Sequence, residues 1–183
     1  MDTLTWKSHF DADWLGELNA FLGRAMIETY AGNGLAVPPQ DTQRKPGFKE
    51  LVYREGRWLY RDSYTGFLAS AGQEVVWYND SPVWMQSYAG GMTANHRYPK
   101  LARDCYQFLR SALATGEKGT TFQPRGPHQY EEFGWRYGCD WSGDITHFWG
   151  HEAISRPDQK EALFLHRFFG GVIMHEQHLP PTE

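Results

Sequence analysis

Trp58-Leu-Tyr-Arg-Asp-Ser-Tyr-Thr-Gly66 is answered 77 positions later by Trp135-Arg-Tyr-Gly-Cys-Asp-Trp-Ser-Gly143. Trp, Tyr and Gly recur unchanged, Tyr64 is matched by Trp141, and Thr65 by Ser142. In an extended chain, alternation puts Trp58, Tyr60, Asp62 and Tyr64 on one side and Leu59, Arg61, Ser63 and Thr65 on the other. The second copy sorts the same way, with Trp135, Tyr137, Cys139 and Trp141 opposite Arg136, Gly138, Asp140 and Ser142. An aromatic side and a polar side are the signature of an antiparallel strand buried on one face.

The correspondence continues outward in the same order. Gly72-Gln-Glu74-Val-Val76 is matched by Gly150-His-Glu152-Ala-Ile154, and Trp84-Met-Gln-Ser-Tyr88-Ala-Gly90-Gly91 by Phe164-Leu-His-Arg-Phe168-Phe-Gly170-Gly171. Upstream, Phe21-Leu22-x-x-Ala25-Met26 is matched by Phe108-Leu109-x-x-Ala112-Leu113. Two copies at this spacing are a duplicated half-domain rather than a solenoid. Each copy starts with an apolar helical stripe: Trp14, Leu18, Phe21, Leu22 and Ala25 over about 12–30, then Leu101, Cys105, Phe108, Leu109 and Ala112 after Pro99. Asp11 or Asp13 is placed to cap the first helix, with Gly32 or Gly34 at its end; Gly116 ends the second. Four strands follow each helix. The first pair is joined by Arg54-Glu-Gly-Arg57, and the next two, at about 73–78 and 83–88, by Asn79-Asp-Ser-Pro82. The expected fold class is therefore α+β: one domain over 1–183 with antiparallel sheet and two helices, its halves at about 12–92 and 99–173. The Gly/Pro stretches 32–47 and 116–127 read as surface loops or lids, and 174–183 as a frayed tail.

Composition narrows the function classes. A net charge of −4 over 183 residues gives no nucleic-acid or membrane bias. Two cysteines make no disulfide framework, no apolar run spans a bilayer, and the first residues lack a signal-peptide layout. A cytoplasmic location is the expectation. The unusual feature is 8 Trp, 10 Tyr and 11 Phe, rings that serve cores, ligand cavities and interfaces alike.

Polar residues inside the aromatic stripes carry the functional signal. Asp62 interrupts one stripe, Glu74 and Glu152 share faces with Val76 and Ile154, and His166 stands between Phe164 and Phe168 where the first copy has Gln86. A buried carboxylate must be paired, hydrogen-bonded, protonated or turned into a wet cavity. Glu74 and Glu152, present in both copies, fit either a structural tie to backbone amides or an arginine, the favoured reading, or groups that orient a ligand. Asp62 and His166, which differ between copies, fit a tie or a site equally. The candidate pocket lies between the duplicated halves, lined by Trp58, Tyr60, Tyr64, Trp84, Tyr137 and Trp141, with Asp62, Glu74, Glu152 and His166 as polar contacts. No catalytic residue, cofactor or metal is assigned: His147-x-x-x-His151 suits a metal only on a helix, and a strand and turn are expected there. No phosphate-binding glycine fingerprint or nucleophile elbow occurs.

Thr29-Tyr-Ala-Gly32, Leu51-x-Tyr-Arg-Glu-Gly56, Tyr60-x-Asp-x-Tyr-x-Gly66, Gly72-x-Glu-x-Val-Trp77, Pro82-Val-Trp84 and Tyr88-x-Gly90 form an ordered series, continued by Arg125-Gly-Pro127-x-x-Tyr130, Phe148-x-Gly-x-Glu-x-Ile154 and Phe168-x-Gly-Gly-x-Ile173. Over roughly residues 18–174 the series resembles the bacterial domain-of-unknown-function family 5680, whose members stand alone or follow a helix-turn-helix domain in regulators. Phe67-Leu-Ala-Ser-Ala and Gln86-Ser87 depart from its pattern. The resemblance implies a sensory or ligand-binding accessory domain and no established activity. Three readings follow, in order: a small-molecule-binding module; an interaction module that dimerises or partners a transcriptional regulator, without contacting nucleic acid itself; and an enzyme using a glutamate and His166 in acid–base chemistry.

Overall fold

The computed structural model describes residues 11–31, 45–115, 119–159 and 161–175. Helix α1 (Ala12–Met26) starts at Asp11, whose Oδ1 accepts a bond from the Trp14 amide at 2.7 Å. It runs into a single π-helical turn, Ile27–Ala31. The capping glycines expected beyond it, with the loop 32–44, lie outside the described residues. Strands β1 (Lys49–Glu55), β2 (Trp58–Gly66), β3 (Ala69–Tyr78) and β4 (Ser81–Met92) follow. Helix α2 (Pro99–Ala114) opens with proline in its first turn, where the missing N–H costs nothing. Strands β5 (Gln129–Glu132), β6 (Trp135–Asp144), β7 (His147–Ser155) and β8 (Phe164–Val172) complete the chain. A helix and then four strands thus occur twice, as the repeated stretch requires.

All eight strands form one antiparallel sheet in the order β1-β2-β3-β4-β8-β7-β6-β5. The halves join side by side through β4 and β8; their aromatic faces do not confront one another across a gap. Tyr88 pairs directly with Phe168, its own counterpart, so a pseudo-twofold axis passes through that pair. Across the sheet the row through it reads Tyr64, Gly72, Tyr88, Phe168, Gly150, Trp141, the same outward from the axis on both sides. The glycines are required: a Cβ on Gly72 would enter the Tyr88 ring, and one on Gly150 would enter Phe168.

The helices pack on the sheet by matching contacts. Phe21 of α1 meets Tyr53 and Trp58 at 5.7 and 5.4 Å, and Phe108 of α2 meets Tyr130 and Trp135 at 5.5 and 5.8 Å. Burying such a ring contributes on the order of 2–3 kcal/mol. Even the edge strands agree: Tyr53 donates to Glu55 and Tyr130 to Glu132. The two-residue turn Asn79–Asp80 has positive φ at both positions (49° and 62°), the twist that a tight hairpin needs. No helix among the described residues is long and apolar enough to cross a membrane.

Candidate functional site

The face that carries the helices holds two polar arrangements, one shared by the halves and one not. The shared one is a tie. Glu74 and Glu152, equivalent residues of β3 and β7, are both buried, and Arg125 from the segment before β5 lies between them. Its Nη1 donates to Glu74 at 2.7 Å, its Nε and Nη2 reach Glu152 at 3.1 and 3.0 Å, and its guanidinium stacks 4.6 Å over the Tyr88 ring. Tyr137 donates to Glu152 at 2.9 Å, and its hydroxyl accepts from the Gly126 amide. Burial alone would raise the Glu152 pKa, but Arg125 and His166 bring it down to about 2. Glu74 remains raised by burial, with the Arg125 charge opposing.

The unshared arrangement is a cavity of about 370 Å³ on the first half, at the low end of the range that holds small organic ligands, roughly 300–1,000 Å³. Its floor is sheet: Tyr60, Asp62 and Tyr64 of β2, Ser70 and Glu74 of β3, Tyr88 of β4 and His166 of β8. Its walls are Met26 and Tyr30 at the end of α1 and Tyr106, Leu109 and Leu113 of α2. The twofold explains how the volume opens beside Ser70. Ser70, opposite Gly66, is the counterpart of Phe148, opposite Gly143. Phe148 is fully buried against Trp84, Phe122 and Phe168. A serine there leaves a ring's volume open.

Asp62 is 2 % exposed and accepts a bond from the Tyr88 hydroxyl at 2.9 Å. In the other half both partners are apolar, Cys139 and Phe168. Burial and the neighbouring Glu74 charge raise the Asp62 pKa to about 8, which favours its protonated form. Beside it His166 reaches across β4 over Gly90, where a Cβ would crowd the imidazole. Its Nε2 lies 2.9 Å from Ser70 Oγ and its Nδ1 3.2 Å from Glu152 Oε1. An Nδ1–H donated to Glu152 would leave the Nε2 lone pair facing the serine, whose Oγ also lies 3.0 Å from the Tyr106 hydroxyl.

Of the residues expected to line the pocket, Tyr60, Asp62, Tyr64, Glu74 and His166 do so. The others are structural. Trp58 packs against Phe21 and Tyr78, and Trp84 is buried with its indole N–H on the Ile145 carbonyl. Glu152 and Tyr137 belong to the tie, and Trp141 is stacked by His128 at 4.1 Å. The segment Arg125–His128 covers the strands of the second half, so the cavity lies over the first half's strands and is closed by α2, Arg125 and His166 of the second; both halves line it. Sequence reasoning missed Tyr30, Ser70, Tyr106 and Arg125. The Ser70/Phe148 mismatch could have pointed to the cavity, since a repeat that swaps a ring for a hydroxyl loses core volume. His147 and His151, four strand residues apart, stand roughly 13 Å from each other and cannot share a metal. On the opposite sheet face Trp149 and Phe169, paired across β7 and β8, are 54 % and 62 % exposed.

A family model described as "Domain of unknown function (DUF5680)" matches residues 62–173, more than half of the chain. The match takes in Asp62, Ser70, Glu74, Arg125, Glu152 and His166. No curated protein and no solved structure matches the chain.

Proposed function

The chain belongs to this family of unknown function, and on that premise we propose that it is a small-molecule-binding module whose site is the cavity on the first half. The observation that carries the reading is the broken symmetry. Where the second half packs Phe148, Cys139 and Phe168, the first half places Ser70, Asp62 and Tyr88 around open volume. Asp62 and Tyr88, and Ser70 and His166, are hydrogen-bonded to one another and also line space bounded by aromatic rings, the usual composition of a ligand site. Ser70→Phe restores the residue that the same sheet position accepts in the other half. It is expected to keep the fold while abolishing the thermal shift given by fragment ligands that stabilise the wild type. Retained shifts in this variant, or a library in which nothing stabilises the wild type, would count against the reading.

One observation favours a second reading. Ser70, His166 and Glu152 have the mutual order of a nucleophile, its base and the carboxylate that orients it, with Ser70 and His166 on the cavity wall. In acyl transfer, Ser70 Oγ would attack a carbonyl carbon, its proton would pass to His166 Nε2, and the leaving alcohol would carry that proton away. Arg103, which lines the same cavity, has the chemistry to meet the developing oxyanion. Covalent labelling of Ser70 by a fluorophosphonate, lost in His166→Ala, would establish this reading. An unlabelled Ser70 in protein that still binds fragments would end it and leave the first intact.

A further inference from the structure

The cavity's lining is asymmetric in charge. Lys49 at the start of β1 and Arg103 and Arg110 on the exposed stripe of α2 belong to it, and all three side chains reach solvent. Among the described residues none of the three has a carboxylate partner: the nearby Asp104 is taken by Lys100, and the ion pairs elsewhere use other cations. They are contiguous with the aromatic wall. Lys49 Nζ lies 6.0 Å from the centre of the Tyr64 ring, Arg110 lies 5.5 Å from that of Tyr30, and the two rings meet edge to face at 6.3 Å. Deeper in, the acidic groups are held by partners: Arg125 is shared by Glu74 and Glu152, and Asp62 accepts a bond from Tyr88. The cavity therefore has an aromatic interior with hydrogen-bonded polar groups and a cationic mouth.

Resting on the small-molecule reading above, we propose that this pocket takes a small organic acid, its aromatic or apolar body among Tyr30, Tyr64, Tyr106 and Leu113 and its carboxylate at Lys49, Arg103 and Arg110. Charge-assisted bonds to a carboxylate are about twice as strong as neutral ones, and arginine offers the planar fork that suits it. A neutral ligand would leave three cations unused, and a cationic one would be repelled at the entrance.

The test is a binding titration with small aromatic carboxylic acids, each beside its primary amide and its aminomethyl analogue. Acids are expected to bind at least about tenfold more tightly than their amides, and amines not to bind. The acid's advantage is expected to shrink with added salt and to vanish in the triple variant Lys49→Gln/Arg103→Gln/Arg110→Gln while the amides still bind. The substituted side chains are exposed, and an unchanged melting temperature of the free variant checks that the fold is kept. Equal binding of acids and amides, or an acid preference that survives the triple substitution, overturns the organic-acid assignment while the pocket stands. If no compound of any arm binds the wild type, both the assignment and the pocket reading fall.

Discussion

Replacing Arg125 by methionine is expected to destabilise the protein by about 3–5 kcal/mol, because it strands two carboxylates in the interior. Arg125 is 5 % exposed and supplies the cationic partner of Glu74 and the strongest charge on Glu152, which is itself wholly buried. Domains of this kind are stable by only about 5–15 kcal/mol in total, so the loss is large. The loss comes from uncompensated charge rather than from lost contacts, and that distinction is measurable. Adding Glu74→Gln and Glu152→Gln to the methionine variant should restore most of the stability, since a neutral replacement of a buried ion network is often tolerated. Urea unfolding of the four proteins (wild type, the single variant, the double glutamine variant and the triple) decides it. A methionine variant that loses less than about 1 kcal/mol would mean that the glutamates find other partners.

The second large effect is on pH. Asp62 has its pKa raised to about 8 in the folded chain, from 3.8 when unperturbed, chiefly by burial and then by the Glu74 charge. The folded state therefore holds a proton that the unfolded chain releases above about pH 4. Stability from this group is full below the unfolded value and is lost as pH rises toward 8, at up to about 1.4 kcal/mol per unit. Glu74, also raised, acts in the same direction. Glu152, lowered to about 2, acts oppositely and only in acid: its stabilisation disappears as pH falls below the normal carboxylate range. Asp62→Asn keeps an acceptor for the Tyr88 hydroxyl and removes the titration. The variant is expected to match the wild type near pH 3, below the unfolded value, and to exceed it by several kcal/mol at pH 8. Parallel profiles for the two proteins would show that Asp62 ionises freely.

These effects separate what the sequence made legible from what it did not. The duplication was readable because the strand pattern has a strict period of two, and because large rings at Phe21, Trp58, Phe108 and Trp135 must meet across helix and sheet in both copies. Of the two readings of Glu74 and Glu152, the structural tie is supplied by Arg125, and Glu74 lines the cavity as well. Asp62 and His166, which the repeat does not preserve, both line the cavity. Two things were hidden. The arrangement of the halves, side by side rather than face to face, depends on which edge strands pair, and periodicity is silent on that. The position of the cavity depends on Arg125–His128 covering one half, a loop whose path no local pattern encodes. The cationic mouth was hidden for the same reason, since β1 and α2 are distant in sequence.

The central claim is that open volume beside Ser70, and not the exposed Trp149–Phe169 surface, is where this protein meets its ligand. Methyl and aromatic chemical-shift mapping with a fragment that stabilises the protein tests this most directly. The expected perturbations fall on Met26, Leu109, Leu113 and Tyr64, leave Ile154 and Val172 unmoved, and disappear in Ser70→Phe. Perturbations centred on Trp149 and Phe169, or unchanged in that variant, would contradict it.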